Sequence, residues 1–175
     1  MPWRTILRNL RDVRTNQSIP PLDPGAVRTL AQELEETARA RLGRELALCH
    51  VDAGDCGGCA LELRATRGVL HDLERYGLRF AATPLQADVL LVTGPVARNA
   101  RESVILTWQA MGDPKWLVGI GDCALDGGVF KGSYAVDGGL PAVLKPDLLI
   151  PGCPPDPASI IAGLRTLLAA TATPG

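Results

Sequence analysis

Three apolar runs in this chain each end a few residues before a cysteine set among glycines and prolines. The runs and the cysteines that follow them are residues 46–51 with Cys56 and Cys59, residues 116–120 with Cys123, and residues 147–150 with Cys153. Apolar runs without alternation are typical of strands buried on both faces of a parallel sheet. Because the carboxyl ends of parallel strands share one edge, the pattern predicts that these cysteines lie together.

Segments with helical periodicity separate the apolar runs. The spacing predicts helices over residues 25–42, 60–76, 97–111 and 156–170, and further strands over 78–81 and 89–92. Strands that alternate with helices indicate an α/β fold. We therefore expect an open parallel sheet with helices on both faces, flavodoxin-like in outline, plus an N-terminal helical extension.

The first part of the chain differs from the rest. A stripe of apolar side chains marks a predicted helix over residues 3–14, formed by Trp3, Ile6, Leu7 and Leu10, with arginines around it. A proline-rich linker follows over residues 18–24. We predict a helical extension and linker over residues 1–44 and an α/β domain over residues 45–175. The first helix either packs on its own domain or docks on a partner or membrane surface.

The bulk composition excludes several classes of function. The net charge of −1 gives no positive field for nucleic acid, so no nucleic-acid partner is expected. No apolar run reaches the length of a membrane-spanning helix, and no secretory signal is visible. The predicted location is cytoplasmic. Disulfides are not expected there, which leaves metal binding or simple burial as roles for the five cysteines.

The cysteine pattern favours a metal centre. Cys56 and Cys59 form a pair with a two-residue spacer, and Cys123 and Cys153 join it from two other loops. Four thiolates from three loops suit one 4Fe–4S cluster, and the neighbouring glycines let backbone N–H groups approach its sulfurs. A structural zinc also accepts four cysteines, but zinc sites usually have two close pairs. Cys49 lies inside a predicted strand, where a buried apolar role is expected.

The same motifs resemble those of a known family. The motifs are CGGCALEL at residues 56–63, GDCA at 121–124 with GGVF at 127–130, and PGCPP at 151–155. The stretches ADVLLVTG at 87–94 and PKW at 114–116 also match. Together they resemble the small, proximal-cluster subunits of membrane-bound, complex-I-like nickel–iron hydrogenases of the formate hydrogenlyase type. The resemblance runs from about residue 49 to 168.

The resemblance implies a function in electron transfer. It implies that Cys56, Cys59, Cys123 and Cys153 bind the iron of one 4Fe–4S cluster, and that residues 45–175 are the cluster-binding domain. The expected partners are a nickel–iron large subunit, a ferredoxin-like iron–sulfur subunit and the membrane subunits of the complex. The chain would then lie peripherally on the cytoplasmic face of the inner membrane. It would belong to an oxidoreductase whose active site is on a partner chain, with no catalytic residue of its own.

Departures from the family pattern keep two alternatives open. Respiratory complex I has adjacent cysteines in the first motif, whereas Gly57 and Gly58 separate them here, which favours a hydrogenase. Leu125 and Asp126 stand where the family usually has small polar residues. The first alternative is the homologous cluster subunit of a quinone- or sulfur-reducing complex. The second, of another class, is a zinc-stabilised interaction module.

Three further polar residues lie near the motifs or between them. His50 precedes the first cysteine loop, and a structural role at the strand end is expected. His71 falls in the predicted helix over residues 60–76 and is expected to be solvated. Glu62 matches a family glutamate and follows Cys59 by three residues. It either stabilises the first turn of a helix or acts beside the cluster, in a proton path or at a subunit interface.

Overall fold

The structure, a computed structural model, describes residues 24–68 and 71–170. The predicted helix over residues 3–14 and the linker up to residue 23 lie outside the described residues. Within the described ranges, the chain forms a single five-stranded sheet with helices around it. All four pairings between neighbouring strands are parallel. The prediction of an α/β fold with an open parallel sheet is therefore confirmed.

The strands follow the order β2-β1-β3-β4-β5 across the sheet. They are β1 (Leu46–Asp52), β2 (Leu78–Phe80), β3 (Val89–Thr93), β4 (Trp116–Ile120) and β5 (Leu148–Ile150). Every residue of β3 is buried, as expected for a central strand covered on both faces. This is the strand order of flavodoxin, in which ligands bind beyond the carboxyl ends of the strands.

Helices cover both faces of the sheet. They are α1 (Pro24–Leu42), α2 (Gly58–Ala65), α3 (Arg101–Ala110), α4 (Asp122–Asp126) and α5 (Pro157–Ala170). One buried cluster joins α1, α2 and α5 to one face, and a second joins α3 to the other. No helix within residues 24–68 and 71–170 is long and apolar enough to cross a membrane.

The predicted helix over residues 60–76 is wrong in its second half. Helix α2 ends at Ala65, residues 66 and 67 lie in a turn, and a short 3-10 helix begins at Leu73. Thr66 is fully buried, and its hydroxyl donates to the Leu63 carbonyl at 2.6 Å. The Gly68 N–H donates to the Ala65 carbonyl at 3.0 Å. These bonds form a turn where the next turn of the helix would be. The spacing of apolar residues does not reveal this competition between local hydrogen bonds and the helix.

The helix predicted over residues 97–111 begins later, at Arg101. The Ala97 N–H donates to the Ala53 carbonyl at 2.8 Å, and Ala97 also forms a bridge with Val136. The N–H groups of Ala97 and Arg98 are thus bonded to other loops, and the regular helix begins after them.

Helix α1 packs directly on the rest of the fold. Ala31 and Ala38 are buried in the same cluster as the apolar face of α5, and Glu33 pairs with Arg165 of α5 at 2.6 Å. The predicted division between residues 1–44 and 45–175 stays a prediction. The packing indicates that the part of the first segment over residues 31–38 shares the core of the domain.

A buried carboxylate holds the start of β1 against the start of β3. Asp88 is 2% exposed, and its oxygens accept from Arg44 Nη1 at 2.9 Å and Nη2 at 2.5 Å. The Ala47 N–H donates to the same carboxylate at 2.9 Å. Because a buried carboxylate is costly without partners, this set of bonds fixes how the two strands meet.

We expect Asp88→Ala to lower the free energy of unfolding by about 3 kcal/mol, because it leaves the buried Ala47 N–H without an acceptor and Arg44 without its partner. Urea unfolding followed by tryptophan fluorescence measures the change. Glu102→Ala removes an exposed carboxylate from α3 and serves as the control, with an expected change below about 0.5 kcal/mol. Equal effects of the two substitutions would contradict the assignment.

Candidate metal centre

The last residues of four neighbouring strands lie in one row across the sheet. Asp52 pairs with Thr93, Thr93 with Ile120, and Ile120 with Ile150. Three of the loops that start from this row carry the four candidate cysteines. Because of this register, the three loops begin at the same edge of the sheet and at the same height along the strand direction.

The loop after β1 is shaped by two aspartates. Asp52 Oδ1 accepts the N–H of Asp55 at 2.9 Å, and Asp55 Oδ1 accepts the N–H of Gly57 at 2.6 Å. Side-chain oxygens that bond the backbone two or three residues ahead are typical of tight turns. The turn exposes Cys56 and delivers Cys59 into the first turn of α2, where its side chain is buried.

The loops after β4 and β5 are joined by a reciprocal pair of hydrogen bonds. The Asp122 N–H donates to the Gly152 carbonyl at 2.9 Å, and the Gly152 N–H donates to Asp122 Oδ1 at 2.8 Å. Cys123 and Cys153 each directly follow one of these two residues. The exchange therefore fixes the two loops, and the cysteines they carry, relative to each other.

Gly121 marks the point where the three loops meet. A Cβ added to it would lie 2.5 Å from Cys59 Sγ of the first loop and 3.3 Å from the Gly152 carbonyl oxygen of the third. Its φ of +90° is also in the region that favours glycine. The backbone thus approaches the sulfur more closely than any residue with a side chain allows. We refer to this meeting point of Gly121, Cys59 and Gly152 as the glycine cradle.

The thiols influence one another electrostatically. Burial raises the pKa of Cys59 to about 12, and Asp55 and the other three candidate thiols contribute to the rise. Burial and the thiols of Cys153 and Cys56 also raise the pKa of Cys123. The raised pKa values of Cys59 and Cys123 disfavour their thiolate forms, and a cation bound beside these sulfurs would favour them. The donor set therefore suits a cationic group such as iron, which binds thiolates.

The described cysteines are not arranged around a single metal ion. Within residues 24–68 and 71–170, no three His, Cys, Asp or Glu residues are placed to hold one metal ion. Zinc needs its ligand sulfurs about 2.3 Å from one centre, so they must crowd together. A 4Fe–4S cluster would take one thiolate on each of its four irons, and Cys56, Cys59, Cys123 and Cys153 are the candidates to supply them. None of the five cysteines forms a disulfide.

The candidate centre lies at the surface. Cys59 and Cys123 are buried, whereas Cys56 and Cys153 are exposed. Exposed apolar side chains flank the cysteines in the chain, with Leu61 at 63% and Val129 at 80% exposure. Apolar side chains exposed beside a candidate site are typical of a surface that a partner covers.

The other residues singled out in the sequence fall outside this cradle. Cys49 is buried in β1 within the α3-side cluster, as predicted. His50 Nε2 lies 3.0 Å from Thr93 Oγ1, a strand-end contact that agrees with a structural role. Burial lowers the pKa of His50, which favours the neutral ring. Glu62 is half-buried on α2, and its role stays a prediction.

The prediction for His71 is wrong. It lies in the turn after α2 and is half-buried, not on a solvated helix face. Its Nδ1 atom is buried and has no hydrogen-bond partner among the described residues.

Sequence reasoning singled out Asp126 only as a departure from the family pattern, and it missed that Asp55 and Asp122 shape the loops. Asp55, Asp122 and Asp126 each hold a backbone N–H near a candidate cysteine. Each aspartate stands within three residues of a glycine and of a cysteine, and this local pattern was the available signal. The exchange between Asp122 and Gly152 joins residues that are 30 positions apart and leaves no local signal.

Residues 56–167 match the model of the family described as NADH ubiquinone oxidoreductase, 20 Kd subunit. The chain belongs to this family. The matched region begins at the first candidate cysteine and includes all four. The resemblance inferred from the motifs is thereby confirmed at the level of the family.

Individual relatives are components of larger oxidoreductases. The chain is 35% identical over 162 residues to formate hydrogenlyase subunit 7 of Escherichia coli (strain K12), covering 93% of this chain and 63% of the relative. It is 38% identical to the probable membrane-bound hydrogenase subunit mbhJ of Pyrococcus furiosus, covering 70% and 74% of the two chains. It is 41% identical to a subunit of the NADH-quinone oxidoreductase of Geobacter sp. (strain M21), covering 62% and 64%.

One solved structure agrees with the fold. A chain from the membrane-bound sulfane sulfur reductase, an archaeal respiratory membrane complex, matches with a TM-score of 0.65 and 28% identity. The match covers 79% of this chain and 75% of that chain. The chain spans less than two thirds of the length of the Escherichia coli and Geobacter relatives.

We expect Gly121→Ala to prevent iron from binding, because its methyl group would stand 2.5 Å from Cys59 Sγ in a strained backbone conformation. Gly112→Ala is the matched control, since nothing lies within 4 Å of its added Cβ. Iron analysis and visible absorption of the purified proteins measure the outcome. Normal iron content in Gly121→Ala would show that the thiols do not meet at this point.

Proposed function

We propose that the chain is the electron-transfer subunit of a membrane-associated nickel–iron hydrogenase complex and carries one 4Fe–4S cluster. The observation that carries the proposal is the convergence of three cysteine loops on the glycine cradle at Gly121. Family membership supports the reading of the site as part of an oxidoreductase. When bound, the cluster accepts and releases one electron at a time.

The protein itself would bind the cluster and determine its environment. Cys56, Cys59, Cys123 and Cys153 are the proposed iron ligands. Their loops are fixed by backbone bonds at Asp55 and Asp122, so the ligands are positioned before the group binds. Glu62 is proposed to act beside the cluster or at a subunit interface.

The exposed side of the site provides the route to a partner. Two of the four proposed ligands, Cys56 and Cys153, lie at the surface. An electron can therefore leave or enter without crossing the domain. We propose a nickel–iron large subunit and a ferredoxin-like iron–sulfur subunit as its neighbours, with membrane subunits of the complex beyond them. Hydrogenase subunits among the relatives support this choice.

A second candidate is the same role in a complex that reduces sulfur or a quinone. The likeness to a chain of the membrane-bound sulfane sulfur reductase favours it. The two-residue spacer between Cys56 and Cys59 argues against respiratory complex I, but it does not by itself separate a hydrogenase from other complexes that reduce sulfur or a quinone. The large subunit does, because two pairs of cysteines near its ends would hold nickel in a hydrogenase.

We expect serine at Cys56, Cys59, Cys123 or Cys153 to abolish or alter the cluster, because the hydroxyl is a poorer iron ligand than a thiolate. The matched control is Cys49→Ser, which changes a thiol buried in β1 away from the cradle. The whole complex is purified anaerobically and studied by EPR in the reduced state.

The wild-type complex should show a reduced-cluster signal that Cys49→Ser retains. Metal analysis should give about four irons for this chain beyond those of its partners. Loss of the signal in Cys49→Ser alone would mean that the wrong four cysteines were chosen. One zinc for this chain and no iron would support the zinc-stabilised module.

A further inference from the structure

Four strands end in one row at the candidate centre, and the loop after β3 is the one among them that carries no cysteine. We call this segment, residues 94–100, the β3 loop. It is bonded to the first cysteine loop, residues 53–57. The Ala53 N–H donates to the Thr93 carbonyl at 2.8 Å, and the Ala97 N–H donates to the Ala53 carbonyl at 2.8 Å. The β3 loop thus lies directly against the loop that leads out of β1.

Glycines allow these two loops to approach each other closely. A Cβ added to Gly94 would lie 2.6 Å from the Asp55 nitrogen, and a Cβ added to Gly54 would lie 2.8 Å from the Ala97 Cβ. Both glycines have a φ of +92°, a conformation that residues with side chains rarely adopt. Ala97 therefore rests against Gly54 with no room between them for a further carbon atom.

A set of short hydrogen bonds connects Gly54 to Cys56 within one turn. The N–H groups of Gly54 and Asp55 both donate to Asp52 Oδ1, at 2.8 and 2.9 Å. On the other side of Cys56, the Gly57 N–H donates to Asp55 Oδ1 at 2.6 Å. Because the same turn contains both residues, a shift of Gly54 changes where Cys56 lies.

On its other side, the β3 loop pairs with residues 135–139. The Gly139 N–H donates to the Pro95 carbonyl at 3.2 Å. A Cβ added to Gly139 would lie 2.9 Å from the Leu125 carbonyl oxygen, and Leu125 follows Cys123 by two residues. The β3 loop and the segment paired with it therefore connect the first cysteine loop to the chain that follows Cys123.

Val96 has an unusual backbone conformation within the β3 loop. It is fully buried and has a φ of +51°, a value that is rare for a residue with a branched Cβ. The Asp137 N–H donates to its carbonyl at 3.0 Å, and this bond helps to hold the conformation. Strained backbone of this kind persists only where the surrounding structure fixes it. The contacts of the β3 loop thus hold it in one conformation, as a support for a neighbouring loop requires.

We propose that Ala97 is a positioning residue for the first cysteine loop, and that its contact with Gly54 sets where Cys56 lies relative to Cys123. The inference rests on the proposed function, because it is read from the cluster that these cysteines would bind. Ligands from separate loops must be held within about 0.5 Å of the productive geometry. The β3 loop provides this support without contributing a ligand of its own.

A double-mutant cycle at Gly54 and Ala97 tests the contact in the whole, anaerobically purified complex. Gly54→Ala places a methyl group 2.8 Å from the Ala97 Cβ. We expect this variant to lose most of this chain's iron and to show a shifted or weakened EPR signal of the reduced cluster. Adding Ala97→Gly removes the atom that the methyl group meets and leaves the Ala97 nitrogen as its nearest listed neighbour, at 3.7 Å. We expect the double variant to regain the iron content and the EPR g-values of Ala97→Gly alone.

The cycle separates the contact from backbone strain, because alanine at position 54 has the same positive φ in the single and the double variant. Gly132→Ala is a second control for strain. Gly132 has a φ of +80°, and nothing lies within 4 Å of its added Cβ. We expect the complex with Gly132→Ala to keep the iron content and the EPR g-values of the wild type.

Wild-type iron content and g-values in Gly54→Ala would overturn the inference and leave the proposed function intact. A double variant with no more iron than Gly54→Ala would also overturn it, since strain at residue 54 would then explain the loss. Where Gly54→Ala prevents the complex from assembling, assembly of the double variant supports the inference, and its failure to assemble overturns it. Absence of a reduced-cluster signal for this chain in the wild-type complex would overturn both the proposed function and the inference.

Discussion

The candidate centre depends on the register of four parallel strands. Asp52, Thr93, Ile120 and Ile150 end their strands in one row, so the loops that follow start level with one another. A shift of one residue in any pairing would move one loop along the strand direction by about 3.3 Å and point its side chains to the opposite face. Ligands from separate loops would then no longer meet.

Several local interactions then hold the loops that start from that row in the positions that form the site. The bonds between Asp122 and Gly152 fix two loops against each other, and Gly121 brings the backbone against Cys59 Sγ. Positive φ angles at the glycines let the chain turn tightly beside the sulfurs. The fold thereby brings glycine backbone close to the sulfur atoms of Cys59 and Cys123. Such surroundings leave N–H groups free to tune a redox group.

Much of the fold could be predicted from the sequence because its strands are continuous apolar runs. Strands β3 and β4 match residues 89–92 and 116–120 closely, and the cysteines follow strands directly. The break after α2 could not be predicted from periodicity, since it depends on the buried Thr66 and on local hydrogen bonds. Helix α4 has only five residues, too few for a helical period to be visible.

The convergence of the four cysteines could be predicted from the sequence. The hydrogen bonds that hold their loops in place could not. Their common edge follows from the parallel sheet alone. The exchange between Asp122 and Gly152 and the hold of Asp126 on its turn are tertiary or short-range contacts that no composition or period encodes.

A high-resolution cryo-EM map of the intact, anaerobically purified complex tests the central claim most directly. The account predicts cubane density joined to the sulfur atoms of Cys56, Cys59, Cys123 and Cys153, with Cys49 outside it in β1. Density for a single tetrahedral ion at these sulfurs, or a cluster bound through a different set of residues, would contradict it.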